Sequence, residues 1–163
     1  MSSGIGTTAS PARMTSGPAG IEVRTLGHFV IRCGPRTIDL HGRKTRALLG
    51  YLMLTEVRRE TRDRLVGLLW SESDEAKARA SLRQAVYEIR EAFRGTGREG
   101  LVADRLCVSL DEGTLGVDLL SVVDEARAGR VHPVLLESER PIDGLLSEFE
   151  AIDPAFNAWL QAK

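Results

Sequence analysis

The sequence predicts an α+β protein, and three patterns carry that prediction. Between Ile21 and Leu40 apolar residues alternate with polar ones at period two, the repeat of a half-buried strand. From Arg43 to Arg94 three segments repeat instead at helical spacing. Around Leu101 to Val108 two short apolar runs flank a polar turn, the pattern of a β-hairpin. The expected order is a small antiparallel sheet, three helices and a hairpin, with further helical segments behind it.

Each element follows from local chemistry. Residues 1–20 are rich in Ser, Thr, Gly and Pro, with too little apolar surface to offset ordering entropy, so a disordered leader is expected there. Ile21 and Val23, then Phe29 and Ile31 after Gly27, then the run Thr37 to Leu40 after Gly34-Pro35, read as three strands. The first helix is expected from Arg43 to Thr55, with Leu48, Leu49, Leu52 and Met53 on its apolar face and Arg43, Lys44 and Arg46 in its first turn. Glu56 to Glu60 reads as a link. Thr61 is placed to cap a short second helix through Leu65, Val66, Leu68, Leu69 and Trp70. Ser73 is the expected N-cap of the third helix, with Asp74 and Glu75 at the positive end of its dipole. Ala78, Leu82, Ala85, Val86, Ile89 and Phe93 form its apolar side, and Gly95 and Gly97 end it. Ala103-Asp104-Arg105 is the turn of the hairpin. A fourth helix is expected over Val117 to Ala128, with Gly129 ending it, and further helical pieces over Leu145–Glu150 and Pro154–Gln161.

Composition narrows the class of function. The 163 residues are 42% hydrophobic and 28% charged, ordinary values for a globular protein. No apolar run approaches the roughly 18 residues of a membrane helix, and no secretory signal is visible. Cys33 and Cys107 lie in apolar segments and read as reduced, half-buried fillers, in keeping with a cytoplasmic protein. His28, His41 and His132 are scattered, so no metal site is expected, and no cofactor or small-molecule substrate. No Gly-rich phosphate loop, His-Glu metal motif or nucleophile beside a base argues for an enzyme. The net charge of −1 divides unevenly. Residues 1–42 carry +2; residues 43–98 carry thirteen Lys/Arg against eight Asp/Glu, or +5; residues 99–163 carry five against thirteen, or −8. A basic middle beside an acidic end suggests two modules with different partners.

Sheet, three helices and hairpin in that order describe a winged helix-turn-helix, with the hairpin as the wing. In that arrangement the third helix enters the major groove of double-stranded DNA. Opposite its apolar stripe lie Lys77, Ala80, Arg83, Gln84, Tyr87 and Glu91, flanked by Arg79, Arg90 and Arg94. Arg83 could fork onto guanine, Gln84 could pair with adenine, and Tyr87 suits a thymine methyl or a sugar. Lys77, Arg79, Arg90 and Arg94, the first-helix residues Arg43, Lys44 and Arg46, and Arg105 on the wing are the expected phosphate contacts.

Particular stretches add a resemblance. IEVRTLGHFVIRCG, GRKTRALLGYLML from Gly42, DRLVGLLW from Asp63 and SDEAKARASLRQAVYEIREAF together resemble the OmpR-type winged-helix family, and within it the SARP-type antibiotic-regulatory activators. Residues 117–163, with LLSEFEAIDPAFNAWLQ, resemble the opening of the bacterial transcriptional activator domain, a helical tetratricopeptide-like module. The resemblance implies a winged-helix domain over 21–112 and an incomplete activator module over 117–163. It implies transcriptional activation in the bacterial cytoplasm, at the nucleoid, by protomers side by side on promoter repeats, in contact with RNA polymerase. The loop between the second and third helices, here Ser71, Glu72 and Ser73, would face polymerase, with Trp70 in the core. Glu88 and Glu91 depart from the basic residues common late in that family's reading helix, and the wing carries only Arg105. A chain stopping at Lys163 is then a fragment of a longer regulator or a short protein with a partial second module. The alternative is a winged-helix protein-interaction module that binds DNA weakly or not at all.

Overall fold

A computed structural model of the chain describes residues 20–111, 113, 115–132 and 146–162. The expected leader, and the Pro133 and Pro141 region, lie outside the described residues apart from Gly20. In chain order the strands and helices are β1 (Ile21–Arg24), β2 (Val30–Cys33), β3 (Arg36–Ile38), α1 (Arg43–Leu54), β4 (Arg59–Thr61), α2 (Arg62–Leu69), α3 (Glu75–Arg94), β5 (Leu101–Ala103), β6 (Cys107–Leu110), β7 (Leu115–Val117), α4 (Asp118–Arg127) and α5 (Pro154–Gln161). They make a mixed α+β fold with two small sheets. Among the described residues no helix is long and apolar enough to cross a membrane.

The first sheet has the order β3-β2-β1-β7. β1 and β2 pair antiparallel with Ile21 opposite Cys33, and Ile31 opposes Ile38 across β2 and β3. Gly34 takes φ 58° at the first position of the two-residue turn joining β2 to β3, a conformation that glycine reaches without a Cβ clash. The fourth strand, β7, runs parallel to β1 with Leu115 opposite Ile21. The second sheet has the order β4-β6-β5, with the β5–β6 hairpin antiparallel as expected.

α1 is the centre of the core. Thr45 and all of Ala47 to Met53 are buried, so the helix is enclosed almost all round rather than along one stripe. α3 buries Ala78, Leu82, Ala85, Val86, Ile89 and Phe93, the six positions expected from its 3.6-residue period, and packs on α1 and α2. The segment from Leu146 to Ala162 closes the opposite side. Phe149 meets Phe29 edge-on at 5.3 Å, and Trp159 meets Tyr51 at 4.7 Å. Leu146 packs on Gly50, where an added Cβ would come within 3.1 Å of its side chain.

Several boundaries differ from the sequence reading. The N-cap of α3 is Asp74, whose carboxylate accepts from Lys77 N at 2.9 Å, while Ser73 N donates to Trp70 O and closes the preceding turn. Thr61 caps α2 as expected, accepting from Arg64 N. The Glu56–Glu60 link contains most of β4, whose partner β6 lies nearly fifty residues further along the chain. Val117 ends β7 rather than starting a helix. The piece expected at Leu145–Glu150 is, among its described residues, only a 3-10 turn at Ser147–Phe149, because Leu146 at φ 50° is left-handed and cannot continue an α-helix.

Candidate nucleic-acid interface

The exposed face of α3 is set by the burial of its other side. With Leu82, Val86 and Ile89 fixed inward, Arg83, Gln84 and Tyr87 point to solvent on successive turns, and Tyr87 is 59% exposed. Lys77, Arg79, Ala80, Arg90 and Arg94 are exposed around them. Arg79 pairs with Glu75 at 2.7 Å and Asp63 at 3.4 Å, and Arg94 with Glu91 at 2.6 Å. These pairs are solvent-exposed and worth at most about 1 kcal/mol each, so a phosphate can displace them. Among the described residues Arg83, Arg90 and Arg105 have no carboxylate partner.

An open groove of about 400 Å³ lies between α3 and the β5–β6 hairpin. Four arginines from three elements line it: Arg79 and Arg83 of α3, Arg62 of α2 and Arg105 of the hairpin turn, with Asp63 and Asp104 among them. Leu106, 72% exposed, stands at its rim. The hairpin turn is built on Asp104, whose carboxylate accepts from the backbone N–H of Leu106 and Cys107, both at 2.7 Å. Those two bonds, Cys107 first, and then the Arg59 and Arg62 charges hold the Asp104 carboxyl below the usual carboxylate range. Arg62 braces the same turn, its Nε donating to Asp104 O at 2.9 Å and its N to Leu106 O at 2.8 Å. Sequence reasoning missed Arg62. Its only signal was its place after the Thr61 cap, and the β4–β6 pairing that carries it to the groove is long-range.

The basic first turn of α1 is engaged elsewhere. Arg43 donates to the backbone oxygens of Glu148 at 2.9 Å and Glu150 at 3.4 Å. Lys44 lies 3.7 Å from the Asp153 carboxylate and 5.8 Å above the Trp70 ring. Arg46 donates to Phe29 O and to the Glu148 carboxylate, between the rings of Phe29 and Phe149. The three residues expected at phosphates therefore hold the C-terminal segment, which brings the acidic groups that a reading of α1 alone could not supply.

The α2–α3 loop is held from the same side. Asp153 is buried and caps α5 by accepting from Ala155 N, and it also accepts from Ser71 N at 3.0 Å and Ser71 Oγ at 2.6 Å. Glu72 stays exposed beside it, Ser73 is half-buried, and Trp70 is in the core, 8% exposed. Glu88 is also placed by structure rather than by solvent. Its carboxylate accepts from Thr45 Oγ1 of α1 at 3.0 Å and from Gln84 Nε2 at 3.1 Å.

The fold and this geometry can be set against known proteins. The described chain is an α+β fold of two small sheets and a helical core. It is similar to the solved structure of Mycobacterium tuberculosis EmbR in complex with a low-affinity phosphopeptide, with a TM-score of 0.61 and 24% identity. The match covers 89% of this chain and 43% of that one, so the chain spans less than half the length of that protein. No protein-family model matches the sequence, and no curated protein matches it.

Proposed function

We propose that residues 21–112 form a winged helix-turn-helix domain that binds double-stranded DNA in a sequence-specific way, as part of a SARP-type transcriptional activator. The observation that carries this reading is the exposed α3 face of Arg83, Gln84 and Tyr87 beside a groove lined by four arginines from α2, α3 and the hairpin. The fold likeness to EmbR supports the arrangement and brings no partner with it. In this reading α3 lies in the major groove, Arg83 reads guanine, Gln84 reads adenine and Tyr87 meets a thymine methyl. Lys77, Arg79, Arg90, Arg94 and Arg105 grip phosphates, and Arg62 joins them from the groove wall. Residues 117–163 belong to a helical, tetratricopeptide-like activator module, tied to the DNA-binding half through Arg43, Lys44 and Arg46. The loop Ser71, Glu72 and Ser73 faces RNA polymerase while Asp153 braces it. Protomers stand side by side on promoter repeats in the bacterial cytoplasm, at the nucleoid. The reading includes no catalytic residue.

The test is the salt dependence of binding to mixed-sequence duplex DNA by fluorescence anisotropy. Six phosphate-gripping residues predict that log affinity falls with log salt at a slope of about −5. No detectable binding at low salt would remove the reading. A second reading, a winged-helix module that binds protein rather than DNA, is favoured by α4, which buries no residue fully and leaves Leu120 42% exposed. It predicts a flat salt response.

A further inference from the structure

The two acidic residues late in α3 have different surroundings. Glu91 pairs with Arg94 on the helix surface, whereas Glu88 is half-buried and bonded on both carboxylate oxygens. Oε2 accepts from Thr45 Oγ1 at 3.0 Å, and Oε1 accepts from Gln84 Nε2 at 3.1 Å. Thr45 is 6% exposed and sits in the first turn of α1, so the carboxylate is fixed by a helix that takes no part in the exposed face. Gly42 leaves room for this: a Cβ there would lie 2.6 Å from Thr45 Oγ1 and 3.6 Å from Glu88 Oε2.

An ionised carboxylate only accepts hydrogen bonds, so the end of the Gln84 amide that faces Glu88 must be its NH₂. The carbonyl oxygen of Gln84 is thereby turned outward with one N–H hydrogen left over. That acceptor-plus-donor pair matches N6–H and N7 of adenine, while guanine presents two acceptors there. We infer that Glu88, held by Thr45, is a positioning residue that fixes the orientation of the Gln84 amide and so sets its preference for adenine. The inference rests on the DNA-binding reading and deepens it. The Thr45–Glu88–Gln84 chain makes one base preference depend on helix α1, and it gives the acidic residue a use that its charge alone would oppose.

The test compares the wild-type chain with Glu88→Ala, Thr45→Val, Gln84→Ala and the Glu88→Ala/Gln84→Ala double variant. Affinities are measured on the duplex selected from a randomised pool and on its single-base variants. Losing one ordered side chain at an interface should reduce adenine-over-guanine discrimination at one base pair by roughly three- to tenfold in Glu88→Ala. Thr45→Val, which keeps the buried shape and removes the hydroxyl, should act in the same direction, and Glu88→Ala should change nothing further in the Gln84→Ala background. In the free protein the side-chain NH₂ resonances of Gln84 should shift and lose order in Glu88→Ala and Thr45→Val. Two results would overturn the inference: uniformly tighter binding to every duplex with base preference intact, which is simple relief of repulsion, or an effect of Glu88→Ala that persists without Gln84. If Gln84→Ala itself leaves base preference unchanged, Gln84 is no base reader and the inference falls with that assignment; the NH₂ resonances tell this failure from a missing hydrogen bond.

Discussion

Asp153→Ala should loosen the C-terminal segment and the loop it holds. The wild-type carboxylate is 3% exposed and accepts three hydrogen bonds, from Ser71 N, Ser71 Oγ and Ala155 N, with Lys44 at 3.7 Å. Loss of the cap on α5 costs about 1 kcal/mol. The two bonds from Ser71 are charge-assisted, each worth about 1.5–3 kcal/mol when one partner is removed. The Lys44 pair adds little, because the lysine is 35% exposed. Relief of the buried charge's desolvation offsets part of this, so the net cost is about 2–4 kcal/mol. For a chain of this size that lowers the melting temperature by roughly 5–15 °C. Circular dichroism on heating reads the global effect, and hydrogen exchange at Ser71 and Ala155 reads the local one. A coupling experiment adds specificity: with Ser71→Ala already present, Asp153→Ala should cost about 1–2 kcal/mol less than in the wild type. A loss below about 0.5 kcal/mol with unchanged exchange at Ser71 would refute the view that this carboxylate holds the loop to the segment.

Other outcomes follow from the same geometry. Arg83→Ala should cost about 1–3 kcal/mol of discrimination at one base pair, whereas Lys77→Ala or Arg105→Ala should weaken all sequences alike and reduce the salt slope by about one each; matching profiles from both kinds of variant would disprove the face assignment. Gly42→Ala should destabilise the chain by about 1–3 kcal/mol in urea titrations, since its Cβ meets Thr45 Oγ1 at 2.6 Å and rotating that hydroxyl away breaks the bond to Glu88. The hairpin turn should be acid-sensitive in a set direction. The folded pKa of Asp104 is lowered, so its stabilising effect is complete above the unfolded value of about 3.9 and is lost as pH falls through the lower folded value. Protection of the Leu106 and Cys107 amides, measured against their intrinsic exchange rates, should therefore fall only in that acid range, and Asp104→Ala should abolish the dependence.

What could be read from the residues was whatever a single element encodes. α3 announces its two sides because twenty residues sample the helical period more than five times, and all six inward positions come out buried. The hairpin was visible from its apolar runs and polar turn. By contrast β4 and β7 are three residues each, and their partners β6 and β1 lie far away in sequence, so nothing local marks them as strands. The same limit governed the candidate site. The clustered charges Arg43, Lys44 and Arg46 give no local sign of Glu148, Glu150 and Asp153, which arrive from a hundred residues downstream. The bond between Ser71 and Asp153 was hidden for the same reason. Glu88 looked like a fault in a basic face, and only the approach of Thr45 across the α1–α3 crossing gives it partners.

The parallel pairing of β7 with β1 bears on how such a protein could be rearranged. Thr25, at the end of β1, donates from both N and Oγ1 to Asp118 at the start of α4, and its carbonyl accepts from Leu146 N. A cut after residue 112 would strip β7 away and leave β1 as an open edge, with unpaired backbone groups ready to recruit another chain. A fusion that keeps β1 would therefore keep this edge covered only if the crossover falls beyond α4. The seam along which this chain can be recombined lies downstream of the point where its charge changes sign.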